Sequence, residues 1–348
     1  EDPLLGRTID NQEVDVADTG AWTLAVDSGK MSEGQSVTIT FEATDTVGNV
    51  ASAVITVNAV AVDFSGKQMI NRITFGATPA LLQEVESLGA QGLLDQQLNP
   101  DSIDDSAFEA MIAGSTPATR EQLQAWSLLH MIYSKRQLRE VMTWFWDNHF
   151  NTDIDTTRQN ADGIEVSDTV AYELAENRAF RTNALGNFRD LLGISAKSPA
   201  MLIYLDSISN VVNDSNENYT REVLELHTMG VDGGYTHHDI EGGAEIFTGW
   251  HLDVQSGLFR FDADRHNSEA QTVLGVEIAA GGVEQGEQFL DIIAAHPSTA
   301  SFICTKLTEL LVSDTPPGTL VSRCADIFLS TTESADQIAQ VLQSILES

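Results

Sequence analysis

The chain has 348 residues, of which 52 are Asp or Glu and 18 are Lys or Arg, so its formal net charge is −34. Such a negative field repels nucleic acid and anionic membrane surfaces, and we exclude both as partners. The sequence contains no run of 18 apolar residues, so we expect no membrane insertion. The acidity fits adaptation to a saline exterior or calcium sites built from carboxylates, which makes calcium the cofactor to consider.

The first 60 residues have the pattern of antiparallel β-structure. Apolar and polar residues alternate in TGAWTLAVD, SVTITFEATD and SAVITVNAV, and turn residues separate these segments. The pattern resembles the last strands of a bacterial Ig-like module, so we predict a partial Ig-like sandwich over 1–60. Its missing strands would precede this sequence or come from a second molecule, which would make the module a site of self-assembly. A small irregular β-extension is the alternative.

The region 61–348 is predicted to be mostly α-helical. Apolar residues recur at i, i+3 and i+4 in KQMINRITFG and REQLQAWSLLHMIYSKRQLREVMTWFWDNHF. The stretch from 251 to 282 is rich in Gly and Asp and predicts an irregular or β-hairpin insert. The fold class is therefore multidomain, with small antiparallel β-structure followed by a mostly helical domain. Further helices are predicted near 161–179, 182–196, 215–229, 237–248, 284–294, 298–313, 319–328 and 334–347.

The two cysteines, Cys304 and Cys324, lie in two helix-like segments joined by a loop that contains Pro316 and Pro317. Two antiparallel helices can bring such cysteines within bridging range. Because disulfides persist in oxidising compartments, we predict a disulfide in a protein that is secreted, periplasmic or on the cell surface. A pair of buried free thiols is the alternative.

The densest polar segment runs from 204 to 250. Glu217 and Arg221 are four residues apart on a predicted helix, so they can form an ion pair. Glu222 and Glu225 are three residues apart, which makes their carboxylates neighbours. Such a pair stays solvated, binds a cation, or raises the pKa of one member and so creates a general acid.

Two histidines and a glutamate, His237, His238 and Glu241, open the next predicted helix. His238 and Glu241 share a face, so a metal site could use them together with Glu222 and Glu225 from a facing helix. Structural ion pairs around Arg221 and Arg189 are one alternative to this metal site. A metal-free catalytic carboxylate is the other.

His266 follows the Gly-rich insert and lies near Asp262 in sequence. It is either a catalytic base or metal ligand, or a hydrogen-bonded loop histidine. The spacing of Trp144 and Trp146 is more typical of a helical core than of a sugar-stacking platform. The sequence lacks the G-x-S-x-G, H-E-x-x-H, Walker and dinucleotide-binding signatures, which argues against the common hydrolase, zinc-protease and nucleotide-binding classes.

Several unrelated short motifs, in order, resemble the bacterial family known as domain of unknown function 1800. They include FWDNHF (145–150), LGNFRDLL (185–192), SPAMLIYLD (198–206), NENYTREVLELHTMGV (216–231) and IFTGW (246–250). The resemblance covers about 65–310. It implies a helical exported protein, a neighbouring exported partner of a sulfatase-like family, and a domain that continues beyond residue 348. It implies no particular reaction.

Three functions therefore remain open. The first is a scaffold or surface protein that binds a partner or polymer. The second is an extracellular carboxylate-dependent enzyme acting on a polysaccharide or similar polymer. The third is a metal-dependent oxidoreductase that uses His237, His238 and Glu241. The candidate residues for the second are Glu222, Glu225 and Asp206 as carboxylates, Arg221 and Arg189 as charge partners, and His266.

Overall fold

The computed structural model describes residues 36–44, 50–58 and 64–347. The chain divides into two units, Glu1–Gly66 and Lys67–Ser348. In the first unit, strand β1 (Ser36–Thr44) pairs antiparallel with β2 (Val50–Asn58), in a register that places Ser36 opposite Asn58. These strands fall on two of the alternating segments. The rest of the predicted Ig-like module lies outside the described residues, so that module stays a prediction.

The second unit is mostly helical, as predicted. Its α-helices are α1 (Phe64–Ile73), α2 (Pro79–Leu98), α3 (Ser106–Ile112), α4 (Arg120–Tyr133), α5 (Gln137–His149), α6 (Val170–Asn183), α7 (Phe188–Lys197), α8 (Pro199–Tyr204), α9 (Asn218–Glu222), α10 (His237–Ile246), α11 (Val283–Ala294), α12 (Pro297–Leu311), α13 (Gly318–Ser330) and α14 (Gln337–Leu346). Val223–Thr228 is a π-helix, and short 3₁₀ turns occupy Pro100–Ser102, Ser207–Ser209 and Ala263–Arg265. None of the described helices combines the length and apolar character needed to cross a bilayer.

Side-chain caps fix where several helices begin. Thr78 precedes Pro79 and accepts from the backbone N–H of Leu81, which is the usual arrangement for Thr-Pro at a helix start. Thr169 caps α6 in the same way by accepting from the N–H of Tyr172. Thr236 and Asp239 form a reciprocal capping box at the start of α10. These caps satisfy backbone donors that the first turn of a helix leaves unpaired.

Several sequence-based helix boundaries are wrong; the helix predicted from 182, for example, begins at Phe188. The helix predicted from 161 begins at Val170, because a hairpin of β3 (Thr157–Gln159) and β4 (Glu165–Ser167) precedes it. The turn between these strands contains Gly163 at φ +73°, a conformation that glycine adopts without steric cost. The single helix predicted over 215–229 is instead α9 followed by the π-helix.

The insert over 251–282 contains two hairpins, as predicted. Strand β5 (Trp250–Asp253) pairs with β6 (Leu258–Phe261), and β7 (Gln271–Val273) pairs with β8 (Val276–Ile278).

Stacked aromatic rings form the centre of the helical unit. The rings belong to α5, α6, α7 and the residue that follows α5. Trp146, Phe150, Phe180 and Phe188 are fully buried, and their neighbouring rings lie 5.4–6.4 Å apart. The indole N–H of Trp146 donates to the carbonyl oxygen of Ala184 at 2.9 Å, so its polar group is satisfied inside the core. Trp144, which the spacing also predicts as core, is 41% exposed and contacts Phe75 edge-on.

The predicted disulfide between Cys304 and Cys324 is confirmed. It joins α12 to α13, its Cα atoms are 5.7 Å apart, and both residues are fully buried. It closes a loop of 20 residues. Closing a loop reduces the entropy of the unfolded chain, and a loop of this length is associated with about 3 kcal/mol of stability.

Replacing both cysteines, Cys304 and Cys324, by alanine should therefore lower the free energy of unfolding by about 3 kcal/mol. Urea unfolding of the variant and of the oxidised wild type measures this difference directly. Wild type treated with a reductant is the matched control and should approach the variant. An unchanged unfolding free energy would mean that the packing of α12 on α13 is sufficient without the bond.

Candidate functional site

Two of the predicted site residues have structural roles. The guanidinium of Arg189 bonds Glu287 at 2.7 Å and Asp291 at 2.6 Å, so it joins α7 to α11. Asp206 has a left-handed backbone (φ +60°), and its Oδ2 accepts from Nδ2 of Asn216 at 3.1 Å. This bond ties the turn after α8 to the start of α9. Arg189 and Asp206 therefore do not join the same site as Glu222.

The predicted residues of α9 and α10 lie on one exposed surface. Arg221 pairs with Glu217 at 2.7 Å, as the i, i+4 spacing predicts. His237 approaches Glu217 at 3.8 Å and Glu241 at 3.5 Å. Ligand atoms of these three residues lie within 4.8 Å of one another, so the trio could hold a cation. His238 is largely exposed and lies 3.7 Å from Glu241.

The glutamates proposed as metal ligands, Glu222 and Glu225, are not part of this trio. Both are half-buried; Glu222 is the last residue of α9, and Glu225 lies in the first turn of the π-helix. Burial raises the pKa of Glu222, and the charge of Glu225 adds to the effect, while Arg221 opposes it. They are neighbours, as their spacing predicts, but Glu217 occupies the ligand position that was assigned to them.

His266 is a hydrogen-bonded loop histidine. Its Nδ1 faces the carbonyl oxygen of Thr248 at 2.8 Å, and its Nε2 faces Oε1 of Gln285 at 2.8 Å. The amide nitrogen of Gln285 donates to two backbone carbonyls, which fixes Oε1 as the acceptor. Both ring nitrogens therefore face hydrogen-bond partners, so the buried ring has no open nitrogen for catalysis.

A cavity of about 300 Å³, which we call the acidic pocket, lies beside α5 and α6 and is lined by carboxyl groups. Helix α5 contributes Asp147, α6 contributes Glu173 and Glu176, and the segment after α5 contributes Asp153. Glu173 and Glu176 are three residues apart, so they project from one face of α6. The wall is completed by Arg120, Leu123, Gln124, Asn151, Thr152 and Ile154.

Glu173 on this wall is paired with Asp168, which lies just before α6. Burial raises the pKa of Glu173 from 4.5 to about 8, and hydrogen bonding with Asp168 acts in the same direction. Burial also raises the pKa of Asp168. Oδ2 of Asp168 is buried and receives no N–H or hydroxyl donor from the described residues. A proton on Glu173 supplies the missing donor, so the two groups share one proton at neutral pH.

Two local effects favour ionised Glu173 and are too small to reverse this. Thr152 donates its hydroxyl to Oε1 of Glu173 at 2.8 Å. Glu173 also lies in the first turn of α6, where the helix dipole typically favours an anion by about 0.3–1 kcal/mol, which is less than one pKa unit. Since the pKa of Glu173 is still about 8, the protonated form predominates at neutral pH.

Glu176 is the second acid of the pocket and is only 6% exposed. Its Oε1 atom has no hydrogen-bond partner among the described residues. Burial raises the pKa of Glu176 well above its ordinary value, and the charge of Glu173 adds to the shift. An unpartnered carboxyl oxygen on a cavity wall is costly in a folded protein unless a ligand or water satisfies it.

Basic side chains do not neutralise these acids. Arg120 on the pocket wall pairs with Asp155, at 2.5 Å. Arg181 on α6 pairs with Glu140, at 2.8 Å. In the described part of the chain, Asp168, Glu173 and Glu176 therefore form no ion pair with a basic side chain.

Comparison with family models identifies one match, a protein of unknown function (DUF1800), over residues 68–348. The chain belongs to the DUF1800 family. This confirms the resemblance carried by the short motifs, and the match extends beyond their range to the end of the sequence. Comparisons with curated proteins and with solved structures gave no match.

Sequence reasoning missed the acidic pocket of the DUF1800 domain, although a signal was present. The segment DTVAYELAEN carries Asp168, Glu173 and Glu176, and Thr169 is a recognisable helix cap before them. Knowing that α6 begins at Val170 would have placed the two glutamates on one face. Asp168 lies next to Glu173 because of the backbone path just before Thr169. The number of residues between them does not predict that path.

The shared proton predicts an unusual pH dependence of stability. In the unfolded chain Glu173 ionises near 4.5, whereas in the folded DUF1800 domain it ionises near 8. The unfolded state therefore releases this proton first, and stability falls as pH rises through that window. Between about pH 5 and 8, the melting temperature of the wild type should fall by roughly 5 °C more than that of Glu173→Gln, measured by calorimetry. Glu277→Gln, an exposed site on β8, should behave as wild type. If the melting temperatures of the wild type and Glu173→Gln changed with pH in parallel, Glu173 would not be protonated in the folded protein at neutral pH.

Proposed function

We propose that this protein is an exported hydrolase that uses acid–base chemistry at the acidic pocket to cleave a polysaccharide or similar polymer. The observation that carries the proposal is Glu173, a carboxylic acid whose pKa of about 8 keeps its proton at neutral pH on the wall of an open cavity. A group with this pKa can protonate a leaving group at neutral pH, which an ordinary carboxylate cannot. The buried disulfide is consistent with an oxidising compartment.

The residues of the pocket can take different catalytic roles in hydrolysis. Glu173 donates its proton to the leaving-group oxygen, and Asp168 behind it holds the acid in place through the shared proton. The exposed carboxylate of Asp153 activates water as the general base. Glu176, kept protonated by burial, offers its hydroxyl hydrogen to a hydroxyl or carbonyl oxygen of the substrate.

The charge of the pocket and of the whole chain narrows the substrate class. A wall of carboxyl groups on a protein of net charge −34 repels anionic polymers. Neutral polysaccharides and polymers of amino sugars meet no such barrier. A scaffold role fits less well, because a domain selected only for packing gains nothing from unpaired acids at a cavity.

A second candidate is metal-dependent chemistry at Glu217, His237 and Glu241. The convergence of their ligand atoms within 4.8 Å favours it. One histidine and two carboxylates can bind a first-row transition metal. However, His237 and Glu241 are exposed, Glu217 is partly exposed, and Arg221 already pairs with Glu217. A cation there would compete with that ion pair, so this candidate ranks below the acidic pocket.

The decisive assay measures the release of reducing ends from a panel of neutral and amino-sugar polysaccharides. Glu173→Gln keeps the shape of the side chain and removes the acid, so kcat/KM should fall at least about 100-fold. Wild-type activity should also fall as pH rises through about 8, because Glu173 then loses its proton.

The control is Glu277→Gln, which changes an exposed carboxylate outside the pocket and should retain full activity. Full activity of Glu173→Gln on a polymer that the wild type cleaves would refute the role of Glu173. Binding of a polymer without any cleavage would favour the scaffold. Activity that chelation abolishes and Glu173→Gln leaves intact would favour the metal trio.

A further inference from the structure

A second cavity, of about 200 Å³, lies on another side of α5 and shares no lining residue with the acidic pocket. We call it the lysine pocket, because the amine of Lys306 on α12 is its one cationic group among the described residues. Its walls are mainly aromatic and aliphatic. The residues that matter here are Trp144, Phe145, His149, Lys306, Glu309 and Leu310.

The hydrogen bonds of His149 fix its tautomer. Its Nε2 lies 2.9 Å from the carbonyl oxygen of His227, and a carbonyl oxygen can only accept. Nε2 therefore carries the hydrogen, and Nδ1 has a free lone pair. Lys306 Nζ lies 2.8 Å from that Nδ1, so the amine donates one N–H to the imidazole. Burial lowers the pKa of His149 well below its ordinary value, which keeps the ring neutral.

The carbonyl of His227 lies in the last turn of the π-helix over Val223–Thr228, where carbonyl groups lack intrahelical partners. The hydroxyl of Thr228 donates to the carbonyl oxygen of Val223 at 2.6 Å, within the widened turn. π-Helical turns occur frequently at functional sites, because they redirect a few side chains and carbonyls without ending the helix. Here the turn presents the carbonyl oxygen of His227 to α5.

Lys306 lies in an environment that makes its amine easier to deprotonate than that of an exposed lysine. No described carboxylate forms an ion pair with it. The ring of Phe302, whose centre lies 5.4 Å from the nitrogen, instead contributes a cation–π attraction to the charged form. Burial lowers the pKa of Lys306, and the charge of Glu309 only partly opposes this. The imidazole of His149, to which Lys306 donates, is neutral and therefore does not balance a positive charge on the amine. Other lysines differ: Lys197 pairs with Glu287, and Lys135 is exposed.

We propose that Lys306 is a nucleophilic amine that binds a small aldehyde or ketone as an imine. The neutral amine uses one N–H for His149 Nδ1 and directs its lone pair to the carbonyl carbon. A C–N bond forms, the carbonyl oxygen takes up two protons that the nitrogen releases, and it leaves as one water molecule. The products are the imine and water, so no oxidant or reductant is needed.

The pocket also sets the size and polarity of the ligand. Its volume of about 200 Å³ lies below the usual range of roughly 300–1,000 Å³ for drug-sized ligands. Trp144, Phe145 and Leu310 provide an apolar wall, and Glu309 disfavours a negatively charged ligand. The ligand class is therefore a small, uncharged carbonyl compound with an apolar body.

The test uses benzaldehyde with sodium cyanoborohydride at neutral pH on the folded, full-length chain. The reductant converts each imine into a stable amine, and peptide mass spectrometry gives the labelling rate at each lysine. Lys306 should be labelled about tenfold faster than the exposed Lys67 and Lys135, because a larger share of its amine is neutral. Unfolding the chain in guanidinium should abolish the difference.

Two variants complete the experiment. Lys306→Met should remove the fast-labelled site, whereas Lys135→Met should leave the rate at Lys306 unchanged. Labelling of wild-type Lys306 at or below the rate of Lys67 would overturn the proposal, and this result does not depend on the folding of any variant. Because Glu173 is outside the lysine pocket, Glu173→Gln should label like the wild type. Failure of the hydrolase assay therefore does not affect this test.

Discussion

The buried ion pair between Glu140 on α5 and Arg181 on α6 fixes the two helices on which the acidic pocket depends. Nε of Arg181 lies 2.8 Å from Glu140, its Nη1 donates to Asn177 at 2.7 Å, and its guanidinium lies 4.7 Å from the ring centre of Trp126. Breaking a buried pair of this kind typically costs about 3–5 kcal/mol. Because α5 also carries His149, its position sets the geometry of the lysine pocket as well.

Two glutamates on these packed helices show how environment decides chemistry. Glu140 is buried, which alone would raise its pKa, but His130 and Arg181 lower the pKa to about 2. Glu173 is also buried, and its partner is another carboxyl group, so its pKa is about 8. Identical side chains thus become a permanent anion and a neutral acid. The first role holds the helices together, and the second is a chemical capability that packing does not require.

The sequence predicted the elements whose signals are local. The i, i+3, i+4 pattern and the two cysteines led to the helical unit and to the disulfide. The sites were harder to predict from the sequence, because they bring together residues that no short motif contains. Lys306 and His149 are 157 positions apart. The densest polar segment drew attention to Glu222 and its neighbours, but polar density there reflects a solvated surface and an ion pair at Glu217.

The central claim is that Glu173 carries a proton at neutral pH, and carboxyl-carbon NMR of the protein labelled with ¹³C-carboxyl glutamate tests it most directly. The resonance of Glu173 is assigned by its absence from Glu173→Gln and then followed through a pH titration. The account predicts the chemical shift of a neutral acid at neutral pH and a midpoint near 8. An ionised resonance at neutral pH, with a midpoint near the ordinary 4.5, would contradict it.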